Sequence, residues 1–238
     1  MFFKTRLNKN ISDKKIAFTA DTKFVAPECA FGNYIKATFE EKLITEAKGA
    51  TACKELIFKL GIPESLKKEI EKDTAVSGDR EEYAVEIGEI TTVYATEECG
   101  FLYGLSTLVH LVEGSELEEK LIYDYPVCGV RGYRVYMPGS ENIGLFKRMI
   151  DLLAYYKFNA IILEIGGAME YKKHPEINEH WVKFCDEAQK ESGRYEKIKA
   201  KYNYMKNSVH IENGDGSYLT QEECRDIAAY CRERGLEV

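Results

Sequence analysis

"VRGYRVYMPGSENIGLFKRMIDLLAYYKFNAIILEI", residues 130–165, changes its hydrophobic period twice. "VRGYRVY" is rich in β-branched and aromatic residues and reads as a strand. "IGLFKRMIDLLAYY" then repeats its apolar residues at helical spacing, which predicts that Leu145, Phe146, Met149, Ile150, Leu152 and Leu153 face inward. "NAIILEI" is a nearly continuous apolar run, the pattern of a strand covered by helices. Strand, helix and strand in this order predict a parallel βαβ unit.

Downstream, a long excursion over residues 166–219 holds a further helix with Trp181, Phe184, Cys185 and Ala188 on one face. Thr220 and Glu223 have capping-box spacing and open a last helix, on which Cys224, Ile227, Ala228 and Cys231 share a face. Gly235 reads as its C′ residue, and Leu236-Glu237-Val238 as the first residues of another buried strand. Domains usually end in exposed polar segments, so this ending is expected to lie inside a domain.

Upstream the pattern differs. "KIAFT", "ELIFKL", "YAVEIG" and "ITTVYA" read as short strands, the last two joined by a tight turn near Gly88-Glu89. "NYIKATFEEKLI" and "GFLYGLSTLVHLV" read as helices; the second puts Phe101, Leu105, Leu108, Val109 and Val112 on one stripe. The expected architecture is an α+β layer, helices on a mostly antiparallel sheet. The seam falls in "GSELEEKLIYDYPVCG", giving an α+β domain over residues 1–125 and an α/β domain over residues 126–238.

Composition narrows the partners. The 238 residues are 45% apolar and carry a net charge of −7, which disfavours nucleic acid and anionic membranes, both of which attract clustered Lys and Arg. Sixteen Tyr against one Trp suit a sugar ligand, although Tyr is as common in ordinary cores. The seven cysteines form no C-x-x-C and no Cys/His set at zinc-ligand spacing, so no metal or cofactor is expected. With no signal-like apolar run at the N-terminus, the expected compartment is the reducing cytoplasm.

Four stretches, in order, resemble the family 20 glycoside hydrolases, the β-N-acetylhexosaminidases. "GFLYGLSTLVHL", Gly100 to Leu111, matches the helix that closes the family's small α+β domain. "VRG" matches the "R-G" strand that opens its (β/α)8 barrel, and "YLTQEE" the run before its third strand. Lys147, Ile150, Asp151, Ala154, Lys157 and Asn159 match "K-x-x-I-D-x-x-A-x-x-K-x-N". The resemblance implies an α/β fold in which the small domain is followed by the first strands and helices of a TIM barrel. Such a barrel takes about 250 residues, so the chain is expected to be truncated within it and to self-associate through exposed strand edges.

The same resemblance implies hydrolysis of terminal amino-sugars in which the substrate's own 2-acetamido oxygen attacks, aided by an Asp-Glu pair on the fourth strand. No catalytic residue is therefore expected in this chain. Two family positions depart from the pattern. "R-G-x-x-x-D-x-x-R" has Tyr136 for its Asp and Gly139 for its sugar-clamping Arg, while "H-x-H-x-x-D-D" is replaced by Ile162, Glu164, Gly167 and Ala168.

The candidate sugar contacts lie where barrel strands end: Tyr136 after the first, Glu164 and Glu170 after the second, and His210 in "HIENGDGSY". Glu164 reads equally as half of an ion pair within the barrel. For Glu170, His174 and His180 a solvated loop or helix face is the simpler reading, and for His210 a tight turn beside Gly214 and Gly216. His110 reads as a core or interface histidine. A non-catalytic carbohydrate-binding or scaffolding module is the competing function, since the clamp and the acid are missing.

Overall fold

The computed structural model describes residues 4–113, 117–192 and 218–238. Its contacts divide the chain into two units: Met1–Gly129 with Tyr155–Lys157, and Val130–Ala154 with Phe158–Val238.

The first unit is built on a seven-stranded sheet in the order β2-β4-β6-β5-β7-β1-β3. Its strands are β1 (Leu7–Ala17), β2 (Lys23–Val25), β3 (Thr51–Ala52), β4 (Glu55–Leu60), β5 (Tyr83–Ile87), β6 (Ile90–Ala95) and β7 (Glu118–Asp124). The sequence leads us to expect a mostly antiparallel sheet, and the pairing corrects this. β6, β5, β7 and β1 pair antiparallel in succession, but β2 with β4, β4 with β6, and β1 with β3 run parallel. Only the β5–β6 hairpin pairs locally; the strands that pair in parallel are separated by segments long enough to cross over, and that length permits parallel pairing. β7 begins with Glu118-Glu119-Lys120, charges that read as punctuation, and so goes unnoticed in the sequence.

Alternation along β5 explains why both faces are buried. Tyr83, Val85 and Ile87 join the core with Phe101, Leu105 and Leu108 of α3 (Glu98–Glu113) and with Ile35 of α1 (Gly32–Thr38). Ala84, on the opposite face, packs with Leu66 and Ile70 of α2 (Glu64–Ile70) and with Tyr123. The matched helix "GFLYGLSTLVHL" approaches the sheet through its two glycines. A Cβ at Gly104 would stand 2.5 Å from Val93 Cγ1, and one at Gly100 would stand 2.8 Å from both Ala95 Cβ and the Glu82 carbonyl oxygen. Small residues are required there because no real Cβ fits so close.

Glu82 is fully buried, yet its carboxylate accepts from Ser77 N at 3.0 Å, Gly78 N at 3.1 Å, Thr96 Oγ1 at 2.9 Å and the Tyr123 hydroxyl. Four donors offset the desolvation that an isolated buried carboxylate would suffer. They tie the loop before β5 to β6 and β7.

The second unit carries the βαβ pattern. β8 (Gly132–Tyr136) and β9 (Ala160–Glu164) pair in parallel, joined through α4 (Ile143–Tyr155). After β9 come α5 (Pro175–Ser192) and α6 (Gln221–Arg232), the latter opened by the Thr220/Glu223 capping box. Gly235 takes φ +76°, the left-handed conformation that lets the chain leave α6. Glu237 then bridges Ala160 in parallel, its N–H donating to the Asn159 carbonyl at 2.9 Å, and Leu236 is buried.

One face of this sheet is apolar: Val135, Met137, Ile161, Leu163 and Ile165 pack with Phe146, Ile150 and Leu153 of α4 and Ile227 and Cys231 of α6. Leu145 and Leu152, expected to face inward, are 54% and 53% exposed. The helix buries a narrower stripe than its composition implies, because a single two-stranded face covers only part of its circumference.

Two outcomes test this packing. Gly104→Val should destabilise the first unit by about 1–3 kcal/mol in urea denaturation through overpacking against Val93, and Val93→Ala should recover part of that loss. His110 is partly buried; burial lowers its pKa below 6.5, with the Lys157 charge adding to the effect against a hydrogen bond to the Tyr155 carbonyl. Its neutral form is favoured in the folded state, so this contribution to stability is present above pH 6.5 and is lost as the pH falls toward the lowered value. Denaturation midpoints between pH 7.5 and 5 should fall less steeply in His110→Gln.

Candidate functional site

Period-two alternation on β8 and β9 decides which residues can meet. Residues 134, 136, 162 and 164 have the parity opposite to the helix-packed set, so Arg134, Tyr136, Ile162 and Glu164 share the other face. The register pairs Tyr136 with Glu164 and Arg134 with Ile162. Tyr136 and Glu164 thus stand side by side at the C-terminal ends of adjacent parallel strands, which is where ligands bind in α/β folds. Arg134 donates from Nη2 to Glu164 Oε2, so the ion pair weighed for Glu164 is present. Arg134 escapes notice in the sequence as the partner of Glu164, although its spacing of two from Tyr136 places it on the same face.

The backbone after each strand is held as firmly. Met137 N–H donates to the Glu164 carbonyl at 3.0 Å, continuing the ladder one residue beyond β8. Gly139 opens a short 3₁₀ turn at Ser140–Asn142 and offers no side chain. After β9 the chain folds around Asn178, a buried side chain from α5. Its Oδ1 accepts from Tyr171 N at 2.8 Å, and its Nδ2 donates to the carbonyls of Gly167 at 3.1 Å and Met169 at 2.7 Å. The Tyr171 hydroxyl closes the loop onto the Gly166 carbonyl at 2.8 Å. Asn178 carries no sequence signal, since a polar residue on a polar helix reads as solvated.

Glu170 is turned to structural use. Its Oε2 lies 3.4 Å from Gln221 N at the start of α6 and 3.6 Å from Lys172 Nζ, and its carbonyl accepts from Gln221 Nε2 at 3.2 Å. His174 pairs with Glu176 at 3.0 Å on an exposed turn, and His180 is exposed. His210 lies outside the described residues, as does most of "HIENGDGSY". Burial pushes the Cys231 thiol up to about 11, and burial also raises Cys224, so neither is a ready nucleophile. Among the described residues no group of His, Cys, Asp or Glu has the arrangement of a metal site, and no helix is long and apolar enough to cross a membrane.

The matched residues between Lys147 and Asn159 hold structure. Asp151 accepts from the Tyr230 hydroxyl at 2.9 Å and from Arg234 Nε at 2.5 Å, which joins α4 to the end of α6. Lys157 has a left-handed φ of +60° just past α4. Clustered with the first unit, it places Nζ 2.7 Å from the Tyr83 hydroxyl, 2.8 Å from Thr107 Oγ1 and 3.7 Å from Asp124. Asn159 accepts from Arg131 N through Oδ1 at 2.7 Å.

No family model matches the chain. The β-hexosaminidase of Vibrio furnissii is 28% identical over 158 residues, covering 60% of this chain and 23% of the relative. That of Vibrio vulnificus is 24% identical over 155 residues, covering 61% and 17%. Among solved structures, the N-acetyl-β-hexosaminidase of Streptomyces plicatus, in complex with Thio-NAglucal, aligns over 98% of this chain and 44% of its own. Its TM-score is 0.61 at 16% identity. The exo-β-N-acetylglucosaminidase of Vibrio harveyi, in complex with N-acetylglucosamine, covers 98% and 34% with a TM-score of 0.57 at 17% identity. The relationship is to the family 20 β-N-acetylhexosaminidases. The structural likeness is one of fold, and the chain spans less than a quarter of the two curated β-hexosaminidases.

The loop beside Glu164 gives a direct test. Asn178→Ala removes one acceptor and two donors from buried backbone groups and should cost about 1–3 kcal/mol. Amide exchange should rise at Tyr171, whose N–H loses its partner, before it rises in β9.

Proposed function

We propose that these 238 residues serve a glycoside hydrolase of the β-N-acetylhexosaminidase type, acting on terminal amino-sugars by substrate-assisted hydrolysis. In this reading residues 1–125 form the hexosaminidase-like N-terminal α+β domain, and residues 126–238 open a (β/α)8 catalytic barrel. The observation that carries it is the parallel register of β8 and β9, which sets Tyr136 and Glu164 together at the strand ends. Carbohydrate is the proposed partner, with Tyr136 and Glu164 as its contacts; Glu170 acts through the loop it holds. The cytoplasm is the proposed compartment, on thiol usage alone.

The chemistry assigns the chain no catalytic group. A leaving oxygen needs a positioned acid, and the acetamido nucleophile needs a carboxylate to orient it; acid catalysis alone contributes about 10²–10⁴ in rate. The family's Asp-Glu pair has no counterpart in the matched motifs of this sequence. The glycine at position 139 favours a second reading, a non-catalytic carbohydrate-binding or scaffolding module, because the motif the sequence resembles has its hydroxyl-clamping arginine there and glycine offers no side chain.

Purified as these 238 residues, the chain should release no nitrophenol from aryl β-N-acetylhexosaminides above background. Turnover that a hexosaminidase inhibitor abolishes would place the acid among these residues. A polypeptide that carries an Asp-Glu pair beyond them should hydrolyse the same substrates if the enzyme reading holds, and should bind without turnover if the module reading holds.

A further inference from the structure

Lys157 has a left-handed φ of +60°, alone among the described non-glycine residues. It ends α4 in the manner of a Schellman cap. Phe158 N–H donates to the Leu153 carbonyl at 3.0 Å across the left-handed residue, a position that glycine usually fills because a Cβ is disfavoured there. A strained residue of this kind persists only where its surroundings hold it. Here they include one face of α3, on which Ser106, His110 and Glu113 are spaced four and three residues apart. Ser106 Oγ donates to the Tyr155 carbonyl at 2.7 Å, His110 Nε2 lies 3.2 Å from the same carbonyl, and the Tyr155 hydroxyl donates to Glu113. The Lys157 ammonium, 12% exposed, donates to the Tyr83 and Thr107 hydroxyls and faces Asp124 of β7 at 3.7 Å.

We propose that Tyr155–Lys157 is an acid-sensitive clasp: it is fastened on α3 while His110 is neutral, and it opens locally, with both units still folded, when His110 takes up a second proton. The segment belongs by its contacts to the first unit and connects α4 to β9, so the clasp sets how firmly that turn is tied.

The partner of His110 identifies the state that fastens it. A carbonyl oxygen only accepts, so the imidazole nitrogen facing it carries hydrogen, and the neutral ring is the Nε2–H tautomer. A second proton therefore goes to Nδ1. It adds a positive charge to a half-buried ring whose centroid is 3.8 Å from that of Tyr155 and 6.3 Å from that of Tyr156. Burial and the Glu113 carboxylate raise the Tyr155 pKa, so its phenol stays protonated. The charged groups that act on His110 are Lys157 from the turn and Glu113 from its own helix. Desolvation is the largest influence and lowers the His110 pKa, and Lys157 adds to it; the Tyr155 carbonyl and Glu113 oppose them without reversing the balance. The fastened state therefore has its full advantage above pH 6.5, the ordinary imidazole value, and loses it as the pH falls through the lowered one. The added charge and the strain at Lys157 act in the same direction, toward release.

Two NMR readouts on the full 238-residue chain test the clasp. The first is the titration of the His110 ring, whose midpoint should lie below 6.5. That midpoint should move up in Lys157→Gly, which removes the opposing charge and gives the left-handed position the residue that suits it. The second is amide exchange at Phe158, corrected for the intrinsic effect of pH, with Val85 of β5 and Ile161 of β9 as internal references. Between pH 7.5 and 5, opening at Phe158 should rise about fivefold while the two references stay within about twofold. In His110→Gln, which keeps an N–H donor for the Tyr155 carbonyl, the rise at Phe158 should disappear. A His110 midpoint at or above 6.5 overturns the proposal, as does a midpoint that Lys157→Gly leaves in place. So does an equal rise at Phe158 in His110→Gln. A rise shared by Val85 and Ile161 overturns it as well, because that is acid unfolding of the units and not the opening of a clasp.

Discussion

Asn159 secures the second unit at the base of its sheet. Its side-chain oxygen accepts from Arg131 N, its N–H donates to the Arg131 carbonyl at 3.1 Å, and its carbonyl accepts from Glu237 N. One residue therefore sets β8 against β9 and starts the pairing of Glu237 alongside. Strand side chains alternate with a period of two, so a slip of one residue would turn Ile161, Leu163 and Ile165 away from the helices and bury Glu164. The apolar face and the Asn159 contacts select the same register. That register then places Tyr136 beside Glu164, and Arg134 within reach of Glu164, at the far end of the strands.

The first unit depends on close approach. Gly100 and Gly104 let α3 lie against β5 and β6 at distances that exclude a Cβ, and the core around Tyr83, Val85 and Leu108 forms on that contact. Glu82 is the polar counterpart: a buried carboxylate whose four donors come from the preceding loop, from β7 and from the residue following β6. Removing any donor would leave a buried charge short of a partner, so the network resists piecemeal change.

The sequence makes local periodicity legible and long-range pairing less so. The β5–β6 hairpin, the α6 capping box and the Gly235 stop can each be read from short windows, because each is decided by neighbours within about a dozen residues, and the β8-α4-β9 unit is read from the order of three successive periodic runs. The parallel neighbours of β4 cannot, since nothing local tells Leu56 that it will lie beside Phe24 and Thr91. At the candidate site, Tyr136 and Glu164 are nominated by the rule that ligands sit at strand ends and lie opposite each other in register, while Glu170 follows the same rule and is held in the structure of its loop. Arg134 is missed because the strand pattern "GYRVY" is read for its apolar content and not for the face that its charged residue occupies. Asn178 is missed because burial of a polar side chain follows from three backbone partners that are not visible in its own helix.

The residues by which the chain resembles its relatives and those by which it departs from them fall in different places. Gly100, Gly104, Asp151, Lys157 and Asn159 match the family's patterns, and each is occupied with packing, capping or strand registration. Tyr136, Gly139, Ile162 and Glu164 stand where the sequence departs from the patterns it resembles; three of them share the helix-free face and the fourth begins the turn just beyond β8. A fold tolerates substitutions where side chains leave the core, and recognition is written on that same surface, so a shared scaffold and an altered ligand grip are compatible on physical grounds. Arg134 makes the point concretely. A charged residue at that parity costs the core nothing, because Val135 and Met137, which follow it on β8 and just beyond, fill the helix-packed positions, and its guanidinium donates to Glu164.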